Sequence, residues 1–209
     1  MFQFRGTGFV VGDGSRVATN AHALPEKIDH ANNEVLVAGL PAQRGVMVPR
    51  AAKLLHLDEP HDLAVLSITG DKLKPMKLGD VARVREGETY FFIGYPLGEG
   101  LGLFPATHRA LVAAIAPVSL PLPNARQLDP KVAKRLRAEA FPIFQLDATA
   151  YPGNSGSPLF HPDSGEVIGI VNMVFVKGTK EAAIAAPSGI AYAIPVYFLQ
   201  KLLGEEIER

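Results

Sequence analysis

The 209 residues include no cysteine, which removes disulfides, thiolate metal sites and cysteine nucleophiles together. Packing alone must hold the fold, and only disulfide-stapled secreted designs are excluded, so cytosol and periplasm both stay open. Net charge is absent as well. Lys+Arg and Asp+Glu each total 21, so no long-range field draws the chain toward nucleic acid or an anionic membrane surface. No apolar run approaches the roughly 18 residues of a membrane span; the longest, 167–176, is interrupted by Gly169 and Asn172. The start, Met1-Phe2-Gln3-Phe4-Arg5, lacks a basic stretch followed by an apolar core, so no secretory signal is read in this numbering. The compartment follows only from whether Met1 is native (cytoplasmic) or residues precede it (periplasmic or otherwise extracytoplasmic).

What the chain does contain is 47% hydrophobic and 20% charged residues with 20 Gly and 17 Pro, the mixture of a turn-rich globular protein. Short β-rich runs recur at 8–11, 16–21, 34–37, 51–57, 63–68, 89–93, 111–115, 144–146, 158–160, 167–176 and 190–194. Turn residues separate them, so the fold class reads as all-β, a sandwich or barrel. Gly12-Asp13-Gly14-Ser15 supplies the positive-φ residues of a tight hairpin at the start. Two segments read as helices. In 129–140, Asp129 caps, Pro130 opens the first turn, and Val132, Leu136 and Ala140 form a stripe. In 196–207, Val196, Leu199, Leu202, Leu203 and Ile207 do the same, with Gly204 a local weakness. The Pro and Gly crowding from Tyr95 to Leu103 marks a boundary between two halves, 1–98 and 99–209.

Three short contexts carry chemistry. Ser155 lies in the small-residue turn Gly153-Asn154-Ser155-Gly156-Ser157 before an apolar run. An attacking hydroxyl needs nearby backbone donors for the developing oxyanion, and glycine lets a substrate come close to them. The N–H groups of Gly153 and Ser155 are the candidate oxyanion hole. His22 follows the strand-like Val17-Ala18-Thr19-Asn20-Ala21 and is placed to serve as general base. Asp62 opens the apolar run Leu63-Ala64-Val65-Leu66, where a carboxylate can hold an imidazole tautomer. Taken singly, these read as a turn, a structural histidine and a strand cap; it is their joint occurrence that points to nucleophilic catalysis.

Seven segments, in order, resemble the HtrA/Deg branch of the trypsin-like serine proteases: Gly6-Thr7-Gly8-Phe9-Val10-Val11, Val17-Ala18-Thr19-Asn20-Ala21-His22, Asp62-Leu63-Ala64-Val65-Leu66, Ile93-Gly94-Tyr95-Pro96, Gly153-Asn154-Ser155-Gly156-Ser157-Pro158-Leu159, Gly165-Glu166-Val167-Ile168-Gly169-Ile170 and Gly189-Ile190-Ala191-Tyr192-Ala193-Ile194-Pro195. The resemblance implies two perpendicular six-stranded β-barrels, the first carrying His22 and Asp62 and the second Ser155, with a C-terminal helix and a short helical insertion. It also implies a serine endopeptidase working through an acyl-enzyme on unfolded or extended polypeptide, with no metal or organic cofactor. The order His, Asp, Ser is that of the chymotrypsin template. An α/β-hydrolase would need Gly-x-Ser-x-Gly with Asp and His after the serine, whereas Ser157 takes the last glycine position and His22 comes first. There is no His-Glu-x-x-His string, and His30, His56, His108 and His161 stand apart. His61, beside Asp62, reads as a solvated neighbour.

Carried over residue by residue, Thr149, six positions before Ser155, becomes the floor of the pocket for the residue preceding the scissile bond. Val174 and Gly189 or Ile190 become its walls. Such a neutral pocket implies small or medium aliphatic preference. Asn172, Met173 and Val174 become the edge strand onto which substrate backbone adds, and Asn172 is placed to reach Asp62. Several positions depart from the family pattern. Ser157 stands where the family has a second glycine, and Asn154 stands where zymogen-activated trypsins place the Asp that receives a new N-terminus. Activation by propeptide cleavage is therefore not expected. The family's N-terminal trimer-forming segment and C-terminal PDZ domains do not fall within these residues, which leaves the oligomeric state open. The stretch 118–142 is longer than the equivalent loop and reads as a solvated amphipathic helix, with gating of the cleft as the alternative. Two other readings of the whole chain stand beside the peptidase: a non-catalytic protease-like module that binds extended peptides, and a peptidase resting with its oxyanion loop misformed.

Overall fold

The hairpin at the start forms as its turn residues require. Strand β1 (Phe9–Val11) pairs antiparallel with β2 (Arg16–Asn20), and Gly12 and Gly14 take φ of 62° and 91°. A side chain at Gly14 would run into the carbonyl of Leu73, so glycine is required there for space as well as conformation. Asp13 Oδ1 closes the turn by accepting from the Ser15 N–H at 3.1 Å and the Ser15 hydroxyl at 2.6 Å. This computed structural model describes residues 3–29, 34–42, 46–100, 102–117, 141–172 and 189–204.

The remaining strands are β3 (Val37–Pro41), β4 (Met47–Asp58), β5 (Leu63–Ile68), β6 (Thr89–Gly94), β7 (Ala106–Pro117), β8 (Pro142–Asp147), β9 (Pro158–Phe160), β10 (Val167–Asn172) and β11 (Ile190–Pro195). They form a five-stranded sheet, β1-β2-β5-β4-β3, and a closed barrel, β10-β11-β8-β7-β6-β9. The mostly β class and the second six-stranded barrel agree with expectation. Among the described residues the first half is an open five-stranded sheet. The expected strand 34–37 is displaced, since pairing runs from Val37↔Ala51 to Pro41↔Met47. Pro41 is tolerated there because β3 lies at the sheet's edge. The expected division after residue 98 is also corrected: β6 pairs with β7 and β9, so the second barrel already begins at Thr89. The Pro and Gly crowding marks a loop inside that barrel. The helix expected at 129–140 lies outside the described residues.

Strand β10 is buried along its full length, and the reason is that it serves two cores. Ile168 and Val171 join Phe92, Val112, Phe144, Leu146 and Leu159 inside the closed barrel. Val167 and Ile170 join Phe9, Val11, Leu63 and Val65 of the five-stranded sheet. A register shift between Val167 and Gly169 sets this division. An apolar run without polar alternation is what a strand covered on both faces needs.

Helix α1 (Tyr197–Leu203) ends at Gly204, which takes φ of 74° and returns its N–H to the carbonyls of Gln200 and Lys201. The helix expected to 207 therefore stops at Leu203, because that glycine is a left-handed cap and not a weak interior position. Phe198 stacks on His61, with centroids 3.8 Å apart, so the C-terminal helix docks on the N-terminal half. Among the described residues no helix is long and apolar enough to cross a membrane.

One half-buried histidine titrates with the fold. His108 stacks on Phe92 at 4.7 Å, and its Nε2 is buried with no protein partner among the described residues. Burial holds its pKa below the ordinary imidazole value of 6.5. In the unfolded chain the ring takes a proton near pH 6.5, so below that pH the unfolded state binds more protons and stability falls as pH falls. Thermal melts at pH 7 and pH 5 should show a smaller acid loss for His108→Phe than for the parent protein; an equal loss in both would count against this assignment.

Candidate functional site

Asp62 sits at the end of the turn that links β4 to β5. The turn is built from Asp58: its Oδ1 accepts from the His61 N–H at 3.2 Å, and the Asp62 N–H bonds to the Glu59 carbonyl at 3.1 Å. Asp62 then takes φ of 52°, unusual for a residue with a side chain. Its carbonyl accepts from Asn20 Nδ2 at 3.0 Å and from the Ala21 N–H at 3.1 Å. These bonds dock the turn on the end of β2, where a 3₁₀ turn, Ala21–Ala23, carries His22. His61 does not enter this arrangement, because its Nδ1 lies 2.7 Å from Asp58 Oδ2 and its ring is stacked on Phe198.

The Asp62 carboxylate gathers three donors. Oδ1 accepts from the His22 backbone N–H at 2.8 Å, and Oδ2 lies 2.6 Å from His22 Nδ1 and 2.6 Å from Asn172 Nδ2. An ionised carboxylate only accepts, so this network assigns the ring proton to Nδ1 and leaves the lone pair on Nε2. His22 is 32% exposed against 16% for Asp62, so the ring opens outward while its carboxylate partner is covered.

Ser155 is 4% exposed and approaches from the other half. Its carbonyl accepts from the Thr7 N–H at 2.8 Å. At Gly6, a side chain would lie 3.1 Å from that carbonyl and 3.2 Å from the Ala23 methyl, so the serine backbone and the residue after His22 flank the same glycine. Gly156 N–H bonds to the Val171 carbonyl at 2.9 Å, and the next residue, Asn172, is the one that reaches Asp62. The backbone of Ser155 thus meets the chain beside His22 at Gly6, and β10 links the Gly156 contact to the Asn172 contact with Asp62.

The loop before Ser155 leaves particular amides unused. Among the described residues the N–H groups of Gly153 and Ser155 have no protein acceptor, whereas the N–H of Asn154 between them bonds to the Tyr151 carbonyl at 2.9 Å. The Pro152 carbonyl accepts from the Leu97 N–H at 2.7 Å. A trans peptide points its N–H opposite its carbonyl, so this bond turns the Gly153 N–H away from the 95–98 loop. Gly153 takes φ of 101°, and a side chain there would strike the Tyr95 carbonyl, so no other residue fits.

The residues expected to form the pocket fall partly within the described structure. Thr149 is half-buried just after β8, and Gly189, with φ of 70°, precedes β11. The Ala148 N–H bonds to the Gly189 carbonyl at 3.0 Å, which sets the 148–149 and 189–190 segments side by side. Ile190 is 43% exposed opposite Asp147. Met173 and Val174 lie outside the described residues. Asn20 was missed in the sequence, where nothing sets it apart from the polar Thr19 beside it in the same strand; it is fully buried. Nothing local marks Leu97 as a partner of Pro152. Among the described residues no three His, Asp or Glu side chains cluster as metal ligands.

Comparison with known proteins agrees with this geometry. Residues 6–170 match the family model of the trypsin-like peptidase domain. The chain is 32% identical over 191 residues to a probable periplasmic serine endoprotease, DegP-like, of Marinomonas sp. (strain MWYL1), covering 90% of this chain and 34% of that protein. It is 30% identical over 194 residues to the counterpart of Hahella chejuensis (strain KCTC 2396), covering 93% of this chain and 34% of that one. The chain therefore spans about a third of the length of these relatives. Among solved structures, the HtrA-type protease AlgW with decapeptide superposes with a TM-score of 0.66 at 25% identity, covering 96% of this chain and 51% of that one. The inactive form of Rv3671c protease, at 22% identity and a TM-score of 0.64 over 95% of this chain and 82% of its own, shares the fold. With most of its length matched by that model, the chain belongs to the trypsin-like peptidase family.

Proposed function

We propose that this chain is a serine endopeptidase in which His22, Asp62 and Ser155 form the catalytic triad. The observation that carries this is the Asp62 carboxylate, which holds His22 Nδ1 at 2.6 Å beside a loop whose Gly153 and Ser155 amides have no protein acceptor among the described residues. Ser155 Oγ attacks the carbonyl carbon of a peptide bond as its proton passes to His22 Nε2. The two amides donate to the oxyanion of the tetrahedral intermediate. His22 then gives the proton to the leaving amine. Water, deprotonated by the same ring, then adds to the acyl carbon, and as the bond to Ser155 Oγ breaks the ring returns that proton to the serine oxygen.

Two unpaired amides flanking a paired one favour an oxyanion hole formed without substrate over a misformed resting loop, and a complete donor set on Asp62 favours catalysis over peptide binding alone. The substrate is an extended polypeptide, a reading that the decapeptide bound to AlgW supports. Thr149 provides a neutral floor for the residue before the cut, with Gly189 and Ile190 as walls, which suits a small or medium aliphatic side chain.

Four outcomes test this reading. Ser155→Ala should lose peptide turnover by at least about ten-thousand-fold with an unchanged thermal melt. An active-site phosphonate should label Ser155 without added unfolded protein; labelling only in its presence would mean that the loop rests misformed, and none under either condition would favour the binding module. Asn172→Ala, which removes one donor to a charged carboxylate, should lower kcat about tenfold with KM little changed. In a panel of peptides differing only before the scissile bond, Ala or Val should be cleaved faster than Arg or Lys, and fastest cleavage after a basic residue would refute the pocket assignment.

A further inference from the structure

Thr7 precedes β1, is 5% exposed, and makes four hydrogen bonds that tie together three separate pieces of chain. Its N–H donates to the Ser155 carbonyl at 2.8 Å, and its hydroxyl donates to the Gly153 carbonyl at 2.7 Å. The same oxygen accepts from the Tyr95 N–H at 3.2 Å. Its carbonyl accepts from Thr19 Oγ1 at 2.6 Å, and Thr19 lies on β2, the strand that leads to His22.

The peptides around Ser155 show what these bonds do. In the peptide joining Gly153 to Asn154, the carbonyl is held by the Thr7 hydroxyl and the N–H by Tyr151. In the peptide joining Ser155 to Gly156, the carbonyl is held by the Thr7 N–H and the N–H by Val171. Both peptides are therefore pinned at both ends. They alternate with the two peptides that carry the unpaired Gly153 and Ser155 amides, whose own carbonyls bond to Leu97 and Ser157 N–H at 2.7 and 3.0 Å. Because each peptide is a rigid plane, fixing its neighbours leaves a free amide little room to rotate. The site is closely fitted: a side chain at Gly156 would collide with the Thr7 carbonyl, and one at Gly94 would lie 3.1 Å from the Thr7 hydroxyl.

We propose that Thr7 is a positioning residue for the peptidase reaction: its hydroxyl and N–H clamp the carbonyls of Gly153 and Ser155 so that the two amides stay aimed at the oxyanion. The inference rests on the reading of Ser155 as nucleophile. Valine at this position keeps the shape but leaves the Gly153 carbonyl and the Tyr95 N–H without the hydroxyl. A loosened hole weakens binding of the tetrahedral species more than binding of the planar substrate.

The test compares Thr7→Val, Thr7→Ala and Thr7→Ser, with rates normalised to the folded fraction. For Val and Ala, kcat on a peptide amide should fall about tenfold, part of the loss seen on deleting a direct oxyanion donor. Inhibition by a peptide aldehyde, which forms a tetrahedral adduct with the serine, should weaken by a similar factor while KM changes less than about twofold. Ser keeps the hydroxyl and should restore both. Parental kcat and aldehyde inhibition in both Val and Ala would overturn the clamp, as would a Ser variant no better than Ala. Should Val not fold, Ala alone decides. Ser155→Ala in the same assay separates the two claims: residual parental turnover there sinks the peptidase reading itself, whereas an inactive Ser155→Ala beside an unimpaired Thr7→Val sinks only the clamp.

Discussion

The Asp62 carboxylate is the point on which the two halves of the molecule agree. It accepts from His22 through both the backbone and the ring, and from Asn172 at the end of a strand of the other half. Its donors come from two distant places in the chain, His22 and Asn172, which the carboxylate ties together. The positive φ of Asp62 belongs to the same constraint: the turn from Asp58 must deliver the carboxylate to His22 and then continue at once into the buried strand β5. Strain of this kind persists only where surrounding bonds over-determine it. Here the Glu59 carbonyl holds the Asp62 N–H, and Asn20 and Ala21 hold its carbonyl.

The same economy appears in the packing. Strand β10 contributes Ile168 and Val171 to one core and Val167 and Ile170 to the other, and it ends at Asn172. The strand that fastens the sheet to the barrel thus also carries the side chain that reaches Asp62. The C-terminal helix works similarly at a distance, since Phe198 covers His61 in the turn that presents Asp62. His61 is thereby occupied by Asp58 and Phe198, which explains how a second imidazole can neighbour the site in sequence without sharing its carboxylate.

Much of this was legible before any coordinates. The positions of His22, Asp62 and Ser155, their order, and the small residues around the serine are patterns that can be read along the sequence without knowing how it packs. The strand runs at 63–68 and 158–160 match β5 and β9, because an apolar run bounded by turn residues is a local signal. Boundaries were less legible where a residue's effect depends on its surroundings. Gly204 ends a helix that its stripe of leucines would have extended, and Pro41 sits in a strand because that strand has a free edge. The crowding after Tyr95 looked like a domain boundary, yet it forms a loop whose Leu97 amide steers the Pro152 peptide.

By itself, the sequence determined which groups are candidates for the chemistry, where glycine is needed for the turns, and that the fold is built from short strands. Tertiary structure alone decided which backbone amides are left free, that Asn20 and Asn172 serve Asp62, and that Thr7 grips a carbonyl 146 positions away. The reason is the reach of the forces involved. Turn conformation and hydrophobic periodicity act over a few residues and so are written locally. Whether an N–H finds a partner depends on where the whole chain brings the acceptors, and that is set only when both cores have closed.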